Sequence, residues 1–170
     1  MGSQIYIRPV AIEDAPHILL WENNVENWSV SNNNGEYSIF DIVELVKDLK
    51  DIKVAQQGRW IICRSSDDLI LGAVDLTGID FIKREASVGI LIAEKQYRRK
   101  GYAYESLEAV AREAIGLGLD RLFATVQCQN IASQKLFEKS EYLRLPNSDD
   151  ANMNEGAYID TILFEKWLRK

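Results

Sequence analysis

A single mixed α/β domain of about seven strands and about four helices is what this sequence predicts, and three observations carry that reading. Short apolar runs of strand length, such as Trp60-Ile61-Ile62-Cys63 and Leu69-Ile70-Leu71-Gly72-Ala73-Val74, alternate along the chain with segments whose apolar residues recur at helical spacing. One such run, Ala86 to Ala93, passes through a basic loop into a long amphipathic segment, and another apolar strand follows at Arg121 to Gln127. Two strands joined through a helix in this way form a parallel pair with a right-handed crossover. Finally, 170 residues with 46% hydrophobic and 27% charged side chains suit one domain with a real core, and no linker, repeat or low-complexity tract divides it.

The elements follow in order. Gln4 to Arg8 reads as a short strand ended by Pro9. A helix is expected over about Glu13 to Trp21, with Pro16 in its first turn, where a missing N–H costs nothing. The polar stretch Asn23 to Gly35 is a loop. Ser38 then caps a second helix that places Ile39, Ile42, Val43, Val46 and Leu49 on one face. The strands at Trp60 and Leu69 are antiparallel across the turn residues Ser65-Ser66-Asp67-Asp68. A polar connection leads to the strand at Ala86. The helix that follows carries Ala103, Leu107, Val110, Ala111 and Ala114, and ends at Gly116 to Gly118. After the strand Arg121 to Gln127 come a helix over Asn130 to Lys139 and strands at Tyr142 to Leu145 and Tyr158 to Phe164.

Composition narrows the function classes. A net charge of −6 argues against nucleic acid as the main partner and is compatible with a cationic amine. No apolar run approaches the length of a membrane span, and no secretory leader is expected. Cys63 and Cys128 form neither a disulfide framework nor a metal spacing, so reduced thiols in the cytoplasm are expected. With His17 the single histidine, no His-based metal site or triad is expected. Met1-Gly2-Ser3 reads as a cloning remnant, which leaves the domain at residues 4–168.

The chemistry concentrates at Arg98-Arg99-Lys100-Gly101-Tyr102-Ala103, between the strand at Ala86 and its helix. Backbone N–H groups at a loop and a helix N-terminus form a positive concavity that suits phosphate. Gly101 permits a tight turn and keeps side-chain bulk off a bound anion, and three cations reinforce the preference. Neither a Walker A loop nor a G-x-G-x-x-G fingerprint is present. The segment is read as a diphosphate cradle.

Written R-x-x-G-x-A, this segment closely resembles the Q/R-x-x-G-x-G/A signature of the GNAT superfamily of N-acetyltransferases. The run Asn130-Ile131-Ala132-Ser133-Gln134-Lys135-Leu136-Phe137-Glu138-Lys139 resembles the family's N-x-x-A/S-x-x-L-Y/F-x-K segment, and the order of elements matches the GNAT fold over nearly the whole chain. The resemblance implies a mixed sheet whose parallel pair splays apart to admit the pantetheine arm of acetyl-CoA. It implies that the pyrophosphate lies over Arg98, Arg99, Lys100, Gly101, Tyr102 and Ala103. Backbone groups of Leu91, Ile92 and Ala93 would hold the pantetheine and the acetyl carbonyl, and Asn130 and Ser133 would face CoA. The function implied is transfer of an acetyl group to a primary amine of a polyamine, a small molecule or a protein N-terminus, by direct attack on the thioester. No metal is implied, and a homodimer is compatible with this branch. The alternative is a GNAT-fold module that binds CoA without turning it over.

Two positions depart from the family pattern. Phe137 stands where many members carry a tyrosine that protonates the leaving thiolate, and Ser87 where close relatives often have an acid. Phe137 is assigned to the core, since a thiol of pKa about 8.5 leaves tolerably unaided. Asp75 and Glu85 are the base candidates, with Asp80 and, on the early loop, Glu36 as the other carboxylates available. The pattern Ile7-Arg8-Pro9, Trp21-Glu22-Asn23, Trp28 and Tyr37-Ser38 resembles the ribosomal-protein N-terminal and polyamine N-acetyltransferase branch. On that basis Trp28, Glu36 and Tyr37 are expected to contact the acceptor, while Trp21 is read as a seam between helices.

Overall fold

The computed structural model describes residues 2–24, 36–146 and 161–168. A seven-stranded sheet runs through it in the order β1-β2-β3-β4-β5-β7-β6. These strands are β1 (Ile5–Pro9), β2 (Gly58–Arg64), β3 (Ile70–Asp80), β4 (Glu85–Ile92), β5 (Arg121–Gln127), β6 (Leu143–Arg144) and β7 (Thr161–Trp167). The helices are α1 (Ala15–Asn23), α2 (Ile39–Asp48), a single turn α3 (Ile52–Ala55), α4 (Tyr102–Gly116) and α5 (Ile131–Lys139). The β4–β5 pair is parallel, and every other pairing among the described residues is antiparallel.

The local chemistry explains the boundaries. Pro9 is the last residue of β1 rather than its terminator, because β1 is an edge strand where a missing N–H is tolerated. Pro16 sits in the first turn of α1. Ser38 and Asp41 close a reciprocal cap on α2: the Ser38 hydroxyl accepts from Asp41 N–H at 3.2 Å, and the Asp41 carboxylate accepts from Ser38 N–H at 2.9 Å. Asp51 caps the turn α3, an element with too few residues for a periodic signal.

The largest correction concerns β3, which continues to Asp80 instead of ending near Val74. Val74, Leu76 and Ile79 are buried while Asp75 and Thr77 face away, with an irregularity between Thr77 and Asp80. The polar residues of the expected connection are thus the outward face of a half-buried strand. Asp80 then makes the turn, its carboxylate accepting from the N–H groups of Ile82 and Lys83. In the last strand, β7 is described from Thr161, so Tyr158 to Asp160 lie outside the described residues, as does most of the expected loop from Asn23 to Gly35.

Helices cover both faces. Leu107, Val110 and Ala114 of α4 pack on Ile5, Ile62, Val74 and Leu76, and Phe137 of α5 joins the same cluster. On the other face Ile18, Ile42 and Val46 join α1 to α2, and Trp21 packs against both that cluster and the sheet residues Ile61, Cys63 and Ala73. Trp21 is therefore the seam expected of it. Asp14, buried at 2% exposure, accepts from both terminal nitrogens of Arg8 at 2.7 and 2.8 Å and from Ala11 N–H at 2.8 Å, which fixes the chain between β1 and α1. Burial opposes the charge on Asp14, but the Arg8 fork and the Ala11 amide outweigh it and hold the carboxyl below its ordinary range.

Two expectations follow. Phe137 is 3% exposed, meets Tyr142 edge-on at 5.0 Å between centroids and stacks on Phe164 at 6.1 Å. Phe137→Ala should cost about 3–5 kcal/mol in denaturant unfolding, as large aromatic truncations do. Because the folded pKa of Asp14 is depressed, its contribution is present above the unfolded carboxylate value of about 4 and is lost as pH falls through the folded value. Asp14→Asn should be clearly destabilised near neutral pH, and its deficit relative to the parent should shrink in acid unfolding curves.

Candidate functional site

β4 and β5 are paired at three positions only: Glu85 with Arg121, Ala86 with Leu122 and Ser87 with Phe123. Beyond Ser87 the strands part. β4 stays bonded to β3 as far as Ile92, and β5 to β7 as far as Gln127, so a wedge opens in the middle of the sheet. The splay implied by the family resemblance is present in the backbone.

The cradle loop stands at the mouth of this wedge. Arg99 and Gly101 both take left-handed backbone angles, with φ of 62° and 87°. Gly101 occupies the N-cap position of α4, where no side chain caps the helix. The first-turn N–H groups of a 15-residue helix therefore point outward without a partner from its own carbonyls, the arrangement that binds anions. A Cβ built on Gly101 would meet no atom within 4 Å, so the space above it is open. The Arg98 guanidinium donates to the carbonyls of Ile92 at 2.9 Å and Ala93 at 3.5 Å, tying the loop to the end of β4.

A further support escaped sequence reasoning. A Cβ on Gly72 would come within 1.8 Å of the Leu91 carbonyl oxygen, so only glycine lets β3 and β4 approach there. The signal was a lone glycine inside an otherwise apolar strand.

A cavity of about 470 Å³ joins these parts. Leu91, Ile92, Arg98, Arg99, Gly101, Tyr102, Ala103, Asn130 and Ser133 line it, nine of the eleven residues expected to hold CoA; Ala93 and Lys100 stand outside the lining. The Ala93 N–H is engaged by the Leu71 carbonyl at 2.9 Å. Ile90, Tyr97, Tyr104, Ala132, Leu136 and Lys139 also line the cavity and were not anticipated as ligand contacts. Asn130 caps α5, its side-chain oxygen accepting from Ser133 N–H at 3.1 Å, which leaves its amide nitrogen as donor. Phe137 is not among the lining residues.

The two base candidates stand apart from this cavity and from each other. Asp75 lies mid-strand on β3, opposite Gly89, and both its oxygens accept from Arg59 at 2.8 and 2.9 Å. Glu22 approaches the same guanidinium at 3.6 Å. Burial works against charge on Arg59, yet these carboxylates raise its pKa above the ordinary value. Glu85 sits at the closed end of the wedge, 2.5 Å from Arg121. That guanidinium also lies between the rings of Phe123 and Trp167, 4.6 and 4.7 Å from their centroids. Of the expected acceptor contacts, Glu36 and Tyr37 are exposed just before α2, and Trp28 lies outside the described residues. The Asn23 side chain clasps the Tyr37 backbone, accepting from its N–H at 2.9 Å and donating to its carbonyl at 3.0 Å. Among the described residues no three His, Cys, Asp or Glu side chains gather as a metal site, and no helix is long and apolar enough to cross a membrane.

The family model of the acetyltransferase (GNAT) domain matches residues 4–142. Among solved structures, the chain is similar to a spermidine N-acetyltransferase from Vibrio cholerae in complex with CoA and spermine. The TM-score is 0.85 at 21% identity, over 98% of this chain and 97% of that one. A dodecameric structure of spermidine N-acetyltransferase from the same organism gives a TM-score of 0.78 at 20% identity, covering 98% and 95% of the two chains. A probable acetyltransferase gives 0.78 at 19% identity, covering 98% and 94%. No curated protein sequence matches. The likeness in structure is one of fold, and the family model reaches from β1 past the cradle and α5. The chain belongs to the GNAT family of acetyltransferases and is an acetyl-CoA-dependent N-acetyltransferase.

Proposed function

We propose that this enzyme acetylates a primary amine of a polyamine or a similar small polycation, with acetyl-CoA bound along the wedge between β4 and β5. The observation that carries the donor half is the uncapped start of α4 beneath open space at Gly101, continuous with a cavity that reaches the unpaired edge of β4. Strand alternation refines the expected contacts. Since Ala93 N–H turns toward β3, the N–H groups of Ile92 and Ile90 turn toward the wedge. Ile92 is then the main backbone partner of the pantetheine and the acetyl carbonyl, with Leu91 and Ala93 fixing its place. Arg98 acts through the strand end, Arg99, Lys100 and the amides from Gly101 to Ala103 on the diphosphate, and Asn130 and Ser133 on the arm.

In the reaction, the neutral amine attacks the thioester carbonyl, a C–N bond replaces the C–S bond, and the thiolate leaves. Donors pointed at the developing oxyanion lower the barrier. With Phe137 packed in the core, the thiolate departs without an acid from that position. Asp75 and Glu85 both accept from arginine. We assign Asp75, with Glu22, to drawing a cation to the open side of β4 at Gly89, and Glu85 to holding the strands together. The proton shed by the amine then passes to water.

The acceptor half rests on the acidic balance of the chain, the carboxylates of Glu22, Asp75 and Glu36 on the α1–α2 side, and the fold shared with spermidine N-acetyltransferases. Self-association accords with the dodecameric neighbour, and reduced Cys63 and Cys128 accord with a cytoplasmic setting. The test is thiol release from acetyl-CoA with spermidine, spermine and a peptide bearing a free N-terminus. Turnover with the polyamines far above the peptide is expected; turnover with the peptide alone would overturn the acceptor assignment.

Two substitutions examine the donor half. Gly101→Val should weaken CoA binding by more than about tenfold in calorimetry, because a branched side chain fills the open space and strains a left-handed position by about 1–2 kcal/mol. Unchanged affinity would remove the cradle from this loop. Asn130→Asp should keep the stability of the parent, since aspartate caps as well as asparagine. It should still bind CoA several-fold more weakly, by about 1 kcal/mol, because a donor has become an anion beside a polyanion. Equal affinity would leave Asn130 with capping alone.

A further inference from the structure

Lys139 closes the segment that resembles the family signature and lines the cavity, but no contact with the donor has yet been assigned to it. It is the last residue of α5, and its ammonium lies over the Tyr104 ring, 4.8 Å from the centroid, with both side chains lining the cavity. A lysine at a helix C-terminus ordinarily complements the last carbonyls of its own helix. Here the ammonium reaches across to α4 and rests on an aromatic face. Other cations of the chain, Arg59, Arg64, Arg84, Arg121 and Lys166, sit on carboxylates. Among the described residues no carboxylate pairs with Lys139.

Position narrows what such a cation can serve. Lys139 lies nine residues along α5 from Asn130, about 13 Å at helical rise, so it marks the end of the cavity opposite the one where β5 delivers the chain to α5. Tyr104 is the third residue of α4 and adjoins the cradle. The diphosphate already has the loop cations and the first-turn amides. CoA carries one more anion, the 3′-phosphomonoester on its ribose, a few bonds from the diphosphate and on the side away from the pantetheine.

We propose that Lys139, braced by Tyr104, binds the 3′-phosphate of CoA and makes the enzyme discriminate CoA from 3′-dephospho-CoA. The inference rests on the donor site proposed above. Tyr104 holds the long lysine stem in one place, so less side-chain freedom is lost when the phosphate arrives. An ion pair formed this way is charge-assisted and specific for an anion at that one point.

Calorimetric titration of CoA and 3′-dephospho-CoA into the parent, Lys139→Met and Lys139→Arg tests it. The parent should bind CoA at least about tenfold more tightly than 3′-dephospho-CoA. Lys139→Met should bring the two affinities together while leaving that for 3′-dephospho-CoA within about twofold of the parent, and Lys139→Arg should keep the discrimination. A parent that binds both ligands equally, a Lys139→Met variant that keeps the ratio, or one that weakens both ligands alike would each overturn the assignment. Binding of neither ligand by the parent would sink the donor site itself, and this inference with it.

Discussion

The acetyltransferase fold of this molecule depends on a pairing that stops early. Two parallel strands in the middle of a sheet would ordinarily bond along their full length, and a sheet so closed would have no interior edge. Here β4 and β5 bond over three residues and then diverge. The divergence creates two edges whose N–H and C=O groups require partners, and the proposed pantetheine arm, an extended ligand with amide groups of its own, would supply them as a third strand does. The closed end is held by Arg121, which reaches Glu85 on β4 and Glu165 on β7 and is flanked by Phe123 and Trp167. Outer strands fix the position of each half of the wedge, so the gap survives although it lies in the sheet's interior.

The cradle and the wedge are joined by backbone as much as by charge. Arg98 belongs to a run of three cations, yet its guanidinium is turned inward to the carbonyls that end β4. The same strand end is pressed from the other side at Gly72, where a methyl group would collide with Leu91. The loop proposed to bind phosphate and the strand edge proposed to meet the acyl group are thereby built on one short stretch of main chain. Fixed donors of this kind need no rearrangement as charge develops during acyl transfer.

Local structure around the candidate site is legible in the sequence, and contacts between distant segments are not. The strand, basic loop, glycine and helix of the cradle are contiguous, as are Ser38 with Asp41 and Asn130 with Ser133, so spacing alone exposed them. The far half of β3 escapes a sequence reading because Asp75 and Thr77 look like loop residues until their alternation with buried Val74 and Leu76 is recognised. Asp75 is a mid-strand residue by the same alternation, and its Arg59 partner lies 16 residues away. Gly72 against Leu91, Arg98 against Ile92, and Lys139 over Tyr104 all arise from folding two segments together. No spacing rule encodes them.

The clasp of Asn23 on the Tyr37 backbone has a consequence for how the first two helices are aligned. One side-chain amide meets both the N–H and the carbonyl of a single residue, so two hydrogen bonds that join positions 14 residues apart form or break as one. They fasten the end of α1 to the approach to α2, beside the apolar contacts of Ile18, Ile42 and Val46. Apolar burial has no direction and leaves two helices room to slide past each other. A donor and an acceptor paired at fixed distance and angle admit one register only.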